Sequence, residues 1–195
     1  MALSDSELVE QIHSENSRKA FDELISRYQL RVMRICHGFV LHNADAEDLT
    51  QDVFIEVFRS IDRFRGDSQF STWLYRIAVN KSLNFLKKKK REKVFQSIEG
   101  FFFKGDKEES LQLSDEGQFA ADRGIKTSEN KKILKGAINS LPENQRTAFI
   151  LAKYQDLSYK EIAEVMDLSI SSVESLLFRA KGKLQNRLLS SIEKK

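Results

Sequence analysis

At 195 residues, with 41% hydrophobic and 31% charged side chains, the chain can bury one large core or two small ones under a soluble surface. Eight Gly and one Pro argue against a turn-rich β architecture and for long helices. A net charge of only +3 excludes a uniformly basic nucleic-acid coat, so any cationic surface must be local.

Taken in order, residues 4–12 read as a short helix, with Ser4 as N-cap and Glu7 three residues on completing a capping box. A longer helix follows from Ser17 to about Leu41, with Phe21, Leu24, Ile25, Tyr28, Val32, Ile35 and Phe39 at core spacing. It contains the single cysteine, Cys36, in an apolar stretch that favours a buried, inert thiol and leaves no disulfide within one chain. His13, His37 and His42 lack any helical metal-ligand spacing, and no cofactor is expected. His42 to Asp45 is a break, where Asn43 or Asp45 can close a turn or cap the next helix.

That next helix, Ala46 to about Arg63, carries two stripes. Leu49, Val53, Phe54, Val57, Phe58 and Ile61 form a wide core face. Asp48, Asp52 and Glu56 fall at successive i, i+4 steps almost opposite, with Ile55 on their flank. Like charges at this spacing repel by a few tenths of a kcal/mol, and an ordinary solvated face fits the charges as well as a binding surface does.

Phe64 to Asn80 is the most informative run. Gly66 permits a turn with positive φ, and Asp67 and Ser68 can bond nearby backbone. A helix opens near Ser71, with Phe70, Trp73, Leu74, Ile77 and Ala78 along one face. The opposite side carries Arg76, Asn80, Asn84, Lys87 and Arg91, with Trp73 at its edge. Basic, amide and aromatic groups together suit single-stranded nucleic acid, where bases stack and phosphates pair. A solvated helix face above core aromatics has the same pattern. Lys87 to Arg91 ends the helix, complementing its dipole and able to hold a phosphate backbone.

Residues 92–128 lose the helical period and turn acidic, with 5 basic and 8 acidic residues against 15 and 13 before them and 12 and 8 after. They read as a linker, in which Phe101, Phe102 and Phe103 are too apolar to face water comfortably. A second domain starts near Glu129, with Ile133, Leu134, Ala137, Ile138 and Leu141 on one face. Pro142 marks a new helix start, and Ser158 with Glu161 makes a second capping box on a short helix that stops near Asp167. Ser169 caps a final long helix whose Ile170, Val173, Leu177, Ala180, Leu184 and Leu188 point inward. Its outer face shows Ser171, Ser172, Ser175, Phe178, Arg179, Lys183 and Asn186. The pair reads as a helix-turn-helix; an αα-hairpin with no DNA role is the plainer alternative.

The run from Phe64 to Asn80 resembles region 2 of the extracytoplasmic-function (ECF) sigma factors, the small promoter-recognition subunits of bacterial RNA polymerase, with particular likeness to envelope-stress members. Leu157 to Ala163 and Phe178 to Lys181 resemble region 4 of the same family, in the correct order after a linker. The resemblance implies an all-α protein of two helical domains, region 2 over 1–91 and region 4 over 129–195, joined by 92–128. It implies that Asp48, Asp52, Ile55 and Glu56 bind the polymerase β′ clamp helices. It places Phe64, Arg65, Gly66, Asp67, Ser68, Gln69, Trp73, Arg76, Asn80, Asn84 and Lys87 on the minus-ten element. Ser171, Ser172, Glu174, Ser175, Phe178, Arg179 and Lys183 would meet the minus-thirty-five element. Where the family commonly has basic residues, this chain has Glu174 and Leu176. The implied partners are core polymerase (β′ clamp helices and β flap) and promoter DNA, with an anti-sigma factor as a further candidate.

No nucleophile–base set, phosphate loop or metal cluster supports an enzyme. A free-standing helix-turn-helix regulator is the alternative function. No apolar run reaches membrane-spanning length and no signal peptide is evident, so the cytoplasm is the expected location and no membrane insertion is expected.

Overall fold

The computed structural model describes residues 3–102 and 128–192. All of its regular structure is helical: α1 (Asp5–Glu15), α2 (Arg18–Val40), α3 (Asn43–Ser60), a 3-10 turn (Ile61–Arg63), α4 (Phe70–Phe102), α5 (Ser128–Asn139), α6 (Glu143–Tyr154), α7 (Tyr159–Met166) and α8 (Ile170–Ile192). Both capping boxes form. Ser4 Oγ accepts from the Glu7 amide while the Glu7 carboxylate accepts from the Ser4 amide at 2.6 Å. Ser158 and Glu161 repeat the arrangement at α7, with the returning bond at 2.8 Å. Ser169 caps α8 by accepting from the Ser172 amide at 3.2 Å. At α3 the cap is neither Asn43 nor Asp45: the His42 ring accepts from the Asp45 amide at 3.3 Å. An imidazole nitrogen serves an orphan amide as a hydroxyl would.

Helices α1–α4 form one bundle around α2, and α5–α8 form another around α8. In the first, Leu24, Val32, Ile35, Phe39, Val53, Val57, Leu74 and Ala78 are essentially solvent-free. Tyr28 stitches this core to α1 by donating to the Asp5 carboxylate, and its ring meets Phe70 edge-on at 5.5 Å. In the second, Ile150, Leu151, Ile162, Val173 and Ala180 are equally buried.

Four sequence expectations change. The helix expected to end at Arg91 runs on to Phe102, so the first part of the predicted linker is helical. Phe103 and residues 104–127 lie outside the described residues, as do the side chains of Phe101 and Phe102. Phe58, assigned to the core face of α3, is 63% exposed with its ring edge-on to Phe21; that apolar stripe is wider than α2 and α4 can cover. Ile170, placed on the inward strip of α8, is exposed, being in the first turn beyond the reach of α6. Leu176 takes an inward place instead and is buried.

The two bundles also touch. The end of α2 from Ile35 to Val40 is buried all round, because α6 packs on the side that α3 and α4 leave open. Gly38 makes this approach possible: a Cβ there would lie 2.7 Å from Ile150 Cγ2 and 3.3 Å from the Tyr154 ring. A second contact joins α4 to α7.

Candidate nucleic-acid and protein interfaces

The acidic surface on α3 is present in part as expected. Asp48 and Asp52 are exposed, and Ile55 beside them is 48% exposed. Glu56 is engaged within the molecule, paired with Lys81 of α4 at 2.8 Å, and this bond holds its carboxyl below the usual range. Phe58 extends the apolar flank of the surface, one helical turn beyond Ile55. Sequence periodicity had hidden it, since a residue at the edge of a core stripe and one at its centre have the same spacing.

The second surface is built on the loop before α4. Gly66 has φ of 76°, a left-handed conformation that its lack of Cβ allows without strain. Arg65, Asp67 and Gln69 are exposed around it. The Gln69 carbonyl starts α4 by accepting from the Trp73 amide at 3.2 Å, and Ser68 Oγ donates to that same carbonyl at 3.3 Å. Phe64 is half-buried, its ring tilted against Trp73 at 5.1 Å and edge-on to Phe70 at 5.9 Å. Phe70 itself is core. The loop therefore stands on a three-ring aromatic base. Along α4 beyond it, Asn80, Asn84 and Lys87 are exposed in a line. Arg76, expected on the same face, bonds the Glu164 carbonyl of α7 through both Nε and Nη2, the former at 3.1 Å. Lys87 also reaches across, to Glu143 at 3.1 Å.

The third surface is the outer face of α8. Ser171, Glu174, Ser175, Phe178, Arg179 and Lys183 are exposed, and Ser172 is partly so. Phe178 is 81% exposed, an extreme value for an aromatic side chain, and shares a shallow depression with Glu174, Ser175 and Arg179. Arg179 is steered along the helix by donating to the Ser175 carbonyl at 3.1 Å. Leu176 faces the core, so it is no replacement for a DNA-facing cation.

Comparison with known proteins fits these surfaces. The Sigma-70 region 2 family model matches residues 24–92 and the Sigma-70 region 4 model matches residues 131–184. The ECF RNA polymerase sigma-E factor of Haemophilus influenzae is 37% identical over 191 residues, covering 95% of this chain and 96% of that protein. The sigma-E factor of Escherichia coli K12 is 35% identical over 193 residues, covering 95% of each. The chain is an ECF sigma factor of the sigma-70 family.

The RNA polymerase sigma-H factor of Pseudomonas aeruginosa, 34% identical over 187 residues, covers 94% of this sigma factor and 93% of itself. Two solved structures share the fold. CnrH in complex with the cytosolic domain of CnrY superposes with a TM-score of 0.65 at 24% identity, covering 95% of this chain and 97% of that one. The sigma factor RpoE in complex with the anti-sigma factor NepR from Bartonella quintana gives 0.61 at 24% identity, covering 87% and 97%. Region 2 thus comprises most of α2, all of α3 and the first two-thirds of α4; region 4 comprises α6, α7 and most of α5 and α8. A sigma factor directs RNA polymerase core to promoters, and the presence of region 2 disfavours a free-standing helix-turn-helix regulator. Among the described residues no helix is long and apolar enough to cross a membrane.

Two buried groups near the junction of regions 2 and 4 behave differently. The Cys36 thiol, solvent-free in the region 2 core, is pushed up to about 11 by burial. Arg146 of α6 is 92% buried (8% exposed), donating from Nη2 to the Phe39 carbonyl and lying 5.8 Å above the Phe39 ring. Its Nε has no hydrogen-bond partner, and burial lowers its basicity.

Proposed function

We propose that this alternative sigma factor captures an unstacked minus-ten base in the loop from Phe64 to Phe70 and binds the minus-thirty-five major groove with α8. The observation that carries the reading is the line of Asn80, Asn84 and Lys87 running away from a Gly66 turn seated on Phe64, Phe70 and Trp73. The loop's exposed amides with Ser68 and Gln69 read a Watson–Crick edge, and Asn80 and Asn84 each add a donor and an acceptor. Unstacking a base costs a few kcal/mol; stacking on the aromatic base and contacts to polymerase offset it. In region 4, the short hydroxyls of Ser171, Ser172 and Ser175 let α8 approach base edges, while Arg179 and Lys183 hold phosphates. Glu174 accepts from a cytosine amine in that groove.

Asp48, Asp52 and Ile55 bind the β′ clamp helices, with Glu56 joining once released from Lys81, and region 4 rests on the β flap. The chain brings no catalytic group of its own; the core enzyme performs the chemistry, in the cytoplasm. An anti-sigma factor fits as a partner, since RpoE of Bartonella quintana was solved with one.

The test is a loop exchange. Residues 65–69 are replaced by those of another small sigma factor, keeping Phe64 and Phe70, and promoter preference is read by run-off transcription with core polymerase. Preference should change at one or two adjacent minus-ten positions with core affinity unaltered. Lower stability with unchanged preference would reduce the loop to scaffold.

A further inference from the structure

The outer face of α8 places an acid beside a bare aromatic ring. Glu174 and Ser175 lie in its second turn and Phe178 and Arg179 one turn on, and the four line one shallow depression. The fold itself accounts for neither Glu174 nor Phe178. Glu174 is past the first turn of α8, the turn in which the helix dipole favours an acid. No cation pairs with it among the described residues, and Arg179 instead donates to the Ser175 carbonyl at 3.1 Å. Phe178 belongs to neither apolar core and keeps 81% of its surface in solvent.

Major-groove chemistry gives both groups a use. A carboxylate only accepts hydrogen bonds. On the groove edges guanine offers acceptors at N7 and O6, and thymine offers one at O4, so both repel it. Two amines remain. That of adenine is flanked by N7, a second acceptor, whereas that of cytosine is flanked only by C5–H. Glu174 is therefore matched to cytosine. An arginine at the same place would take guanine, so this chain reads the opposite base from a relative with the basic residue. The phenyl ring of Phe178 has one apolar partner among the base edges, the methyl group of thymine. Four residues of helix rise about 6 Å at 1.5 Å each. At 3.4 Å per base pair, Phe178 and Glu174 meet bases within about two base pairs of each other.

We propose that Glu174 and Phe178 set the upstream specificity of this sigma factor. Its minus-thirty-five element carries a cytosine where Glu174 docks and a thymine within two base pairs of it, and guanine at the Glu174 position is rejected. This rests on the placement of α8 in that major groove. It follows that promoters built for a relative with a basic residue at this position are closed to this chain, and its own promoters are closed to that relative.

The test uses the full chain bound to core polymerase, with fork templates whose minus-ten strand is single and whose upstream duplex is randomised. Sequences enriched in the bound fraction are read. Wild type should enrich cytosine at one position and thymine beside it. Glu174→Gln should move the first preference to adenine, whose N6 and N7 an amide takes together, and Glu174→Arg to guanine, each by about tenfold. Base analogues then address single atoms. With wild type, 7-deazaadenine, which has C–H in place of N7, should bind better than adenine at the Glu174 position. Uracil in place of the thymine should cost about fourfold, the worth of one buried methyl group, and nothing in Phe178→Ala. Guanine enriched by wild type, or one base preference shared by wild type and both Glu174 variants, would overturn the role of Glu174. A uracil penalty that persists in Phe178→Ala would overturn the role of Phe178. Arg179→Ala distinguishes these failures from failure of the docking itself. Uniform weakening across the library keeps α8 in the groove whatever the analogues show, whereas unchanged binding removes α8 from the groove and the base reading with it.

Discussion

At the scale of single residues, side chains of one type separate by what covers them. Phe39 is solvent-free and Phe58 is 63% exposed, although both sit on apolar stripes. Phe39→Ala should cost about 3–5 kcal/mol, and Phe58→Ala less than about 1 kcal/mol, as read by urea denaturation. Phe58→Ala should nonetheless weaken core polymerase binding, because the ring adjoins the Asp52 and Ile55 surface. Charge reversal at Asp52 should lower core affinity at least tenfold, about 1.4 kcal/mol, with ellipticity unchanged; unaltered affinity would remove α3 from the polymerase interface. Cys36 gives a pH signature. Its folded value, raised from 9.0 to about 11, means the unfolded thiol ionises first. The stability this contributes is complete below pH 9 and is lost as pH rises to about 11, roughly 2–3 kcal/mol. Cys36→Ala should flatten that decline in denaturation curves taken from pH 8 to 11.

At the scale of elements, α8 has one buried and one exposed face. Val173, Leu176, Ala180 and Leu184 hold it to region 4, while Arg179 and Lys183 lie outside. Replacing Arg179 or Lys183 by Ala should weaken duplex binding and reduce the slope of log affinity against log salt by about one each. Leu176→Ala should instead destabilise region 4 by about 2–3 kcal/mol and leave base preference unchanged. A change in preference would return Leu176 to the groove. Helix α4 behaves similarly: its Leu74 and Ala78 side is core, and its Asn80 and Asn84 side is exposed. Its continuation past Arg91 follows from Glu92 to Glu99 holding no Gly or Pro; Gly100 falls only in its last turn.

At the scale of the whole molecule, one apolar core runs through both regions, from Leu24 and Phe39 to Ile150 and Val173. Thermal unfolding of the wild-type protein should therefore be a single transition. Gly38→Val should divide it into two, one for each region, when followed by scanning calorimetry. A single transition in both would show that the regions are not stabilised separately.

Most of the helices, the Ser4, Ser158 and Ser169 caps and the order of the two regions were legible in the chain, because capping boxes, periodicity and turn residues are local and act within a few residues. Ser4 with Glu7, Ser158 with Glu161, and Gly66 each do what their type and spacing dictate. The aromatic base under the loop was partly legible, since Phe64, Phe70 and Trp73 are near one another in sequence. What periodicity could not decide is which of two possible faces another body covers. That choice buried Leu176 and exposed Ile170 and Phe58, and it turned His37 and Gly38 inward at the end of α2. Arg76 reads as a nucleic-acid contact in the chain, yet it bonds Glu164, 88 residues away. Arg146 carries no local signal of burial, yet it is buried against Phe39. Both outcomes depend on long-range packing of one bundle on the other, through helix-end carbonyls that every sequence possesses and none advertises.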